Sequence, residues 1–457
     1  MATTIELVDD TAVEALRAAL RGPLIAPGDA EYDQARKIWN GMIDRRPAMI
    51  ARVAGAADVV TCVNFARDRD VVLAVRGGAH NVAGNAVCDG GLVVDFSAMK
   101  AIRVDPVHRT ARAEPGVKWG EFDREVQAFG LATTSGTFSD TGIAGLTLGG
   151  GMGWLGGKFG LVSDNVLSFD VVTADGRLRT VSPDEEPDLF WALRGGGGNF
   201  GVVTSFEYRL HPVGTLLAGP VFYPIDRARE VLRSYRDFAS GIPDELVTAF
   251  GFLTLPDGER AVGIVVVYNG PLDAGEEVIR PVREFGQPIA DQIGPMPYTA
   301  VQSMFDPLAP TGRHYYVKAP FLREIQDGAI EALIDGFAEV PSPFTIILLQ
   351  QKSGAMARGR ADQTAFGHRE DQFAAVLFSG WDDPARAEAN IAWTRRLAQA
   401  LEPFGSGGEY INELGPQDRP DHIRASFGAN YDRLAALKEK WDPTNVFRHT
   451  QNLKPVV

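Results

Sequence analysis

Glycine-rich loops constrain this chain more than any other feature of its 457 residues. The stretch VRGGAHNVAGNAVCDGG, residues 75–91, lies between two apolar segments and contains His80, one of seven histidines in the chain. Two more glycine clusters follow, GGGMG at 149–153 and GGGG at 195–198. Glycine lets the backbone turn tightly and lets another molecule approach its amide groups, at an entropic cost to folding. A tight turn explains one such loop, but three loops predict a binding site for a large flat or phosphorylated ligand.

Other motifs that combine glycine with catalysis or phosphate binding match poorly. The GGGMG cluster resembles a dinucleotide fingerprint, but that fingerprint belongs in the first βαβ unit, and here about 140 residues precede it. The sequence contains no GxxxxGK[ST] loop and no GxSxG nucleophile elbow. No His, Asp or Glu cluster at ligand spacing accompanies His80, so the sequence predicts no metal site.

Composition excludes several classes of partner. The chain has 45 basic and 59 acidic residues and a net charge of −14. Nucleic acids and anionic membranes are recognised by clustered Lys and Arg, so we expect neither as a partner. Two cysteines, Cys62 and Cys88, are too few for a disulfide scaffold or a zinc site. The chain has no long apolar run and no visible signal peptide, and we therefore expect a cytoplasmic protein.

The distribution of glycine and of strand and helix patterns predicts an α+β fold in two domains built from three segments. Glycine-rich loops concentrate in residues 1–215. Residues 216–404 alternate strand patterns such as AVGIVVVYNG with amphipathic helix patterns such as DRAREVLRSYRDFAS. Glycine returns near the start of residues 405–457, and we expect this last segment to pack on the first domain.

Four motifs, taken together and in order, resemble a known family. They are VRGGAHNVAG, TFSDTGIAGLTLGGGMGWL, LFWALRGGGGNFGVVT and the tail beginning YINE and continuing FGANYDRLAALKEKWDPTNVFRHTQNL. This combination resembles the FAD-linked oxidases of the berberine bridge enzyme type over essentially the whole chain. The resemblance implies a two-part FAD-binding domain of the PCMH type and an α+β substrate domain with an antiparallel sheet.

The resemblance also assigns the cofactor and its attachment. In this family a histidine of the first glycine loop is bonded through a ring nitrogen to the 8α-methyl group of FAD, and the matching residue is His80. The resemblance implies that residues around His80 line the diphosphate, namely Arg76, Gly77, Gly78, Ala79 and Asn81. It implies further cofactor-binding positions at Thr137, Phe138, Thr141, Gly142, Gly145, Leu146, Thr147, Gly151, Met152, Val202, Asn412 and Asn452.

Departures from the family pattern bear on the flavin linkage and on oxygen. Many relatives make a second flavin bond from the cysteine of a G-x-C-P-x-V-G motif, which reads GTFSDTG here and has Phe138 in the cysteine position. Cys88 belongs to another loop and is no substitute, so we expect a single covalent bond, at His80. Thr141 occupies a position that influences oxygen access in the family, and its small side chain favours an oxidase.

The resemblance suggests candidates for the catalytic base. Aligning TAFGHR with the PFPHR-like segment of plant members places Arg358, or a near neighbour, where those enzymes have a glutamate. Carbohydrate-oxidising relatives use the tyrosine of a Y-x-N stretch instead, and EYINE supplies Tyr410 and Asn412. Tyr410 is therefore our candidate base. Other residues that could line the pocket come from strands of the middle segment: Tyr316, Lys318, and Gln350 or Gln351.

These features favour an FAD-dependent oxidoreductase that uses O2 and takes hydride from a CH–OH or CH–NH group of a small molecule, such as a secondary alcohol or a sugar-like substrate. A flavin-binding protein without useful turnover stays open, as does a dehydrogenase that reacts poorly with O2. A reductase on the same kind of domain is a third alternative, although relatives of that kind bind FAD without the histidine bond. Either a monomer or a homodimer is compatible with the acidic composition.

Overall fold

The computed structural model describes residues 9–360, 362–370, 372–415 and 419–455, which form an α+β fold with fifteen α-helices and four sheets within these ranges. The fold class expected from the sequence is confirmed. No helix in the described ranges is both long and apolar enough to cross a membrane. The α-helices are Asp10–Ala19, Tyr32–Ala35, Ala56–Asp68, Trp119–Gln127, Ile143–Leu148, Gly156–Phe159, Pro187–Ala192, Ala228–Ala239, Leu272–Glu284, Tyr298–Ser303, Asp327–Ala338, Gly354–Arg358, Ala387–Leu401, Pro420–Phe427 and Tyr431–Trp441.

A small sheet near the start of the chain carries the first glycine loop. Its strands lie in the order Leu24–Ile25, Met49–Arg52, Leu92–Asp95 and Leu73–Arg76, and the last three are parallel. The helix Ala56–Asp68 connects two of them, and it buries Val59, Cys62, Val63 and Ala66 on one face. Because the strands Leu73–Arg76 and Leu92–Asp95 are parallel neighbours, the loop between them begins and ends at opposite ends of the sheet.

A second sheet of five antiparallel strands carries the other two glycine clusters. Its order is Ile102–Asp105, Thr110–Ala113, Val202–Arg209, Val166–Val172 and Leu178–Val181. A turn at Asp175–Gly176 joins the last two strands in that order, and Gly176 has the left-handed φ of +76° that such turns favour. A two-stranded pair, Leu131–Ala132 with His211–Pro212, completes the first half of the fold.

Within the described ranges, ten strands between residues 216 and 409 form one large antiparallel sheet. Its strands are Leu216–Pro224, Leu246–Thr254, Arg260–Tyr268, Ala290–Asp291, Gly294–Met296, His314–Lys318, Pro320–Leu322, Ile346–Gln351, Phe373–Trp381 and Gly405–Glu409. Helices Ala228–Ala239, Asp327–Ala338 and Ala387–Leu401 bury their apolar residues against one face of this sheet. The other face is turned towards the glycine loops.

The last segment contacts both halves of the molecule. Strand Gly405–Glu409 pairs with Pro320–Leu322 and so extends the large sheet. Helix Tyr431–Trp441 places Leu434 and Leu437 in the same core as Leu189 and Phe200 of the first half. The start of the last segment thus belongs to the large sheet, and its last helix packs on the first half.

Candidate active site

A cavity lies between the glycine loops and the open face of the large sheet. Residues 77–82, 136–138 and 197–198 border it on one side, and residues 410–413 and 449–451 of the last segment also line it. Side chains of five neighbouring sheet strands form the remaining wall. Three segments distant in sequence thus meet around one space.

The backbone of the first glycine loop is available to a ligand. No hydrogen bond within the described residues uses the amide N–H groups of residues 77–82 as donors. The loop is held by a close backbone contact, because a Cβ added to Gly78 would lie 2.4 Å from the Cα atom of Gly142. Gly145, one turn further on, borders the cavity, and a Cβ there would meet no protein atom within 4 Å. Two glycine loops therefore pack together and leave amides and open space facing the cavity.

His80 lies between two aromatic rings at the edge of this space. Its ring stacks on Trp39 with 4.1 Å between centroids and an interplanar angle of 20°, and Phe138 lies 6.4 Å away. Its Nε2 atom is buried and has no hydrogen-bond partner within the described residues. Burial lowers the pKa of His80 to about 4, although the charge of Asp140 acts in the opposite direction. The imidazole is therefore neutral near pH 7, with an unshared electron pair available on the ring.

These residues fit FAD, which the sequence resemblance implied. Among the described residues that line the cavity there is no Lys or Arg and one carboxylate, Glu413. A diphosphate there would be bound by backbone N–H groups such as those of residues 77–82, an arrangement that protein loops commonly offer to anions. The neutral ring of His80, with its unpartnered nitrogen, fits a tether to the flavin.

The same loop contains a strained residue that the sequence did not reveal. Ala79 has φ = +59°, in the left-handed region, and its carbonyl accepts a hydrogen bond from the amide of Trp39 at 3.1 Å. A non-glycine residue in this region costs of the order of 1 kcal/mol. Glycine would adopt this backbone conformation without that cost.

We expect Ala79→Gly to raise the free energy of unfolding by up to about 1 kcal/mol, because glycine adopts this conformation without steric strain. Thermal unfolding of the FAD-loaded variant and wild type would measure the gain. The same substitution at Ala113, a buried strand residue of ordinary conformation, should destabilise the fold. A lower stability for Ala79→Gly than for wild type would contradict the strain.

Tyr410 places a buried hydroxyl group in the wall of the cavity. Its buried hydroxyl oxygen accepts hydrogen bonds from the amide of Gly151 at 3.1 Å and from Nδ2 of Asn412 at 2.7 Å. Both donors favour the phenolate, but burial is the larger effect and raises the pKa of Tyr410 above its usual value. Asn412 is fixed by a second bond from Nδ2 to the carbonyl of Leu146 at 3.2 Å. The Y-x-N stretch therefore forms a small polar unit in the wall of the cavity.

Glu413, the last residue of the EYINE stretch, also lies in this wall, and the motif gave no indication of a role for it. Its Oε2 atom is buried and has no hydrogen-bond partner within the described residues. Burial, and then the charge of Glu409, raises the pKa of Glu413 to about 7. The cavity thus contains a carboxyl group that changes charge near neutral pH.

Most residues assigned to the cofactor by resemblance border the cavity. They are Gly77, Gly78, Ala79, His80, Asn81, Thr137, Phe138, Thr141, Gly142, Gly145, Leu146, Met152, Val202 and Asn412. Gly151 lies behind them and donates its amide to Tyr410. Asn452 is outside the lining but follows Gln451, which belongs to it.

Arg76 and Thr147 are directed elsewhere. The Arg76 guanidinium lies 3.8 Å from Asp95 and donates to the carbonyl of Ala35. The Thr147 hydroxyl donates to the carbonyl of Ile143 and bonds the hydroxyl of Tyr208 in the core. The Arg76 side chain therefore pairs with a carboxylate beneath the loop and is not among the described residues that line the cavity.

Two of the expected pocket residues, Tyr316 and Lys318, lie on the face of the large sheet opposite the cavity. The Tyr316 hydroxyl accepts a hydrogen bond from Arg395 of the covering helix at 3.1 Å. The Lys318 ammonium lies 3.6 Å from a carboxylate oxygen of Glu409. Strand side chains alternate between faces, and Tyr315 and Val317 are the residues of this strand that pack on the cavity side.

The alternation of strand side chains also determines which of the two candidate glutamines faces the cavity. Gln350 lines the cavity, whereas Gln351 faces the helices and bonds Thr248 and the carbonyl of Ala239. Arg358, which with its near neighbours was aligned to the plant glutamate position, is not among the described residues that line the cavity. The Arg358 side chain is 62% exposed and pairs with Asp244 outside the cavity.

Several lining residues were missed by reasoning from the sequence. Trp39 lies far from His80 in the chain, and only the fold brings the two rings together. Others lie in or just after the third glycine cluster and in the C-terminal tail: Gly197, Gly198, Gly201, His449, Thr450 and Gln451. The tail motif NVFRHTQNL could have revealed its polar members, since it was part of the family resemblance.

Comparison with known proteins agrees with this site. Residues 47–182 match the family model described as an FAD binding domain, and residues 409–454 match the model described as berberine and berberine like. An FAD-linked oxidoreductase of Dictyostelium discoideum is 34% identical over 447 residues, which cover 96% of each chain. (R)-6-hydroxynicotine oxidase of Paenarthrobacter nicotinovorans is 32% identical over 454 residues, covering 96% of this chain and 97% of that protein.

A solved structure shows the same fold over the same length. The crystal structure of 6-hydroxy-D-nicotine oxidase from Arthrobacter nicotinovorans superposes with a TM-score of 0.88 at 30% identity, covering 96% of this chain and 98% of that one. The matched regions contain both the first glycine loop and the Y-x-N stretch. The chain therefore belongs to the FAD-linked oxidoreductases of the berberine bridge enzyme type.

Proposed function

We propose that this oxidoreductase is an O2-using oxidase that removes hydride from a CH–OH or CH–NH group of a small molecule, with FAD bonded to His80. The observation that carries the proposal is the polar unit around Tyr410 in the same cavity as the unpartnered ring of His80. The relative named (R)-6-hydroxynicotine oxidase supports an oxidase that acts on a small molecule.

When bound, FAD supplies the two-electron acceptor, and the residues of the chain position the substrate and manage its proton. We infer that Tyr410 takes the proton from the substrate O–H or N–H while the hydride leaves the neighbouring carbon. Asn412 and the amide of Gly151 stabilise the negative charge on the Tyr410 oxygen. Gln350 faces the cavity from the sheet and offers an amide that can orient the substrate.

Three features support a single flavin bond and reaction with O2. Phe138 borders the cavity in the position where many relatives have the second attaching residue. Cys88 is buried against the carbonyls of Val72 and Leu92 and does not line the cavity. Thr141 borders the cavity with a small side chain, which supports oxygen access to the flavin.

Anaerobic mixing of the purified holoenzyme with secondary alcohols, aldoses and cyclic amines would test the function. An oxidase should show loss of the flavin absorbance with at least one class and recovery on admitting air. Loss without recovery in air would indicate a dehydrogenase. A flavin that none of these compounds reduces would support the flavin-binding alternative.

We expect the rate constant of flavin reduction to continue rising above pH 7, because the pKa of Tyr410 is raised and its phenolate becomes more populated as pH increases. Ionised Glu413 raises the pKa of Tyr410 further, so Glu413→Gln should speed reduction about two- to tenfold above pH 7. Below pH 7 the native carboxyl is protonated, and the variant should match wild type.

Stopped-flow absorbance between pH 6 and pH 9 would measure this profile. A plateau above pH 7 that disappears in Glu413→Gln, with slower reduction throughout, would transfer the role of base from Tyr410 to Glu413.

A further inference from the structure

The cavity continues from the His80 region across the open face of the large sheet. Phe378 marks its near end, because its ring lies 5.9 Å from that of Trp39 and 6.1 Å from that of Phe138. From there the lining passes over strands Phe373–Trp381, Ile346–Gln351, Leu246–Thr254, Arg260–Tyr268 and Leu216–Pro224, which are neighbours in that order. Five strands span about 19 Å at about 4.8 Å per neighbouring pair. We call this extension the sheet groove.

The sheet groove is almost entirely apolar. The sheet contributes Phe378, Leu348, Leu253, Val265 and Phe222 among others, and Gln350 is its one polar side chain within the described lining. Phe305 and Leu308 border the same space from outside the sheet. Phe222, Leu253 and Leu348 are only half-buried. Sugars would leave their hydroxyl groups without partners along such a wall, at a substantial desolvation cost.

A glycine in the middle strand keeps the groove open. Gly251 is buried, has no left-handed φ, and a Cβ built on it would meet no atom closer than 3.8 Å. The neighbouring residues on the same face of this strand, Ala249 and Leu253, both have a side chain, whereas Gly251 has none. A larger side chain at position 251 would therefore fit the backbone and occupy the groove instead of the core.

We propose that the sheet groove binds an elongated apolar part of the substrate, and that Gly251 sets how far this part can extend. This inference rests on the proposed function, since the oxidised end of the same molecule must lie at the flavin. The occupant is a substrate with an aromatic or alkyl tail, and the apolar wall disfavours an oligosaccharide. Burial of apolar surface supplies the binding energy, and Gln350 supplies the one polar contact along the sheet.

Ligand binding can be measured without turnover, which separates this proposal from the function itself. The wild-type holoenzyme would be titrated with 4-alkylphenols of increasing chain length, and Kd read from the change in the flavin spectrum. Each added CH2 should lower Kd about fourfold until the groove is filled, after which Kd should level off. Gly251→Leu should bind the shortest phenols within twofold of wild type and the long ones at least tenfold more weakly.

Gly241→Leu is the matched control, because Gly241 is exposed, has ordinary φ and would place a Cβ within 4 Å of no atom. It should reproduce the wild-type series. The proposal is overturned if Kd does not depend on chain length, if Gly251→Leu binds the long phenols as wild type does, or if xylo- or cello-oligosaccharides bind more tightly than the phenols. These results concern binding alone, whereas failure of the proposed function would appear as a flavin that no alcohol or amine reduces.

Discussion

Tyr410→Phe should slow flavin reduction by roughly 10²-fold or more while FAD stays attached, if Tyr410 is the general base. The substitution removes the oxygen that receives two N–H groups and leaves the ring in the apolar cluster beside Phe366. The amides that surrounded the oxygen would remain, so the flavin site should keep its shape. Stopped-flow reduction under anaerobic conditions measures the effect, with the flavin content of each preparation determined by absorbance.

Tyr316→Phe provides the matched control for this experiment. It removes a hydroxyl from the opposite face of the sheet, where the partner is Arg395 of the covering helix. Its reduction rate should stay within about twofold of wild type. Unchanged kinetics in Tyr410→Phe would exclude Tyr410 as the base. Glu413, the carboxyl group in the cavity wall, would then be the remaining candidate for that role.

Gly78→Ala should abolish FAD binding in the folded protein and lower its stability by roughly 1–3 kcal/mol, the cost of overpacking a closely packed site. The added methyl group would lie 2.4 Å from the Cα and 2.5 Å from the N atom of Gly142. Both are backbone atoms, so no side-chain rotation relieves the collision and the two glycine loops must separate.

The flavin content after purification and the far-ultraviolet circular dichroism would report on binding and on folding separately. Gly241→Ala changes an exposed glycine at which the added Cβ would meet no atom within 4 Å. This substitution should leave flavin content and folding unchanged. Full flavin content in Gly78→Ala would show that the close approach of the two loops is not needed for the cofactor.

The elements of the fold could be predicted where the sequence pattern is local. The helix Ala56–Asp68 has buried residues at helical spacing, and the turn at Gly176 has the residues that a hairpin requires. The glycine loops led to the prediction of a ligand site for a similar reason, because conformational freedom is a property of the glycine residues themselves. The close backbone contact between Gly78 and Gly142 could not be read from the loops alone.

Features that depend on tertiary contacts could not be predicted in this way. The strand HYYVK has large side chains at both parities, so its sequence does not say whether Tyr315 or Tyr316 faces the cavity. The stacking of Trp39 on His80 joins separate loops, and the left-handed φ of Ala79 follows from how its loop is anchored. The pKa of Glu413 depends on burial by the surrounding fold and on Glu409, which no motif conveys.

Peptide mapping of the acid-denatured wild-type protein tests most directly the central claim, that FAD is bonded to the chain through His80 alone. The denatured, precipitated protein should stay yellow, and tryptic mass analysis should find one flavin on the peptide that contains His80. His80→Ala should still bind FAD through the glycine loops but release it on denaturation. Free flavin in the supernatant of the wild type, or a flavin adduct on Cys88, would contradict the account.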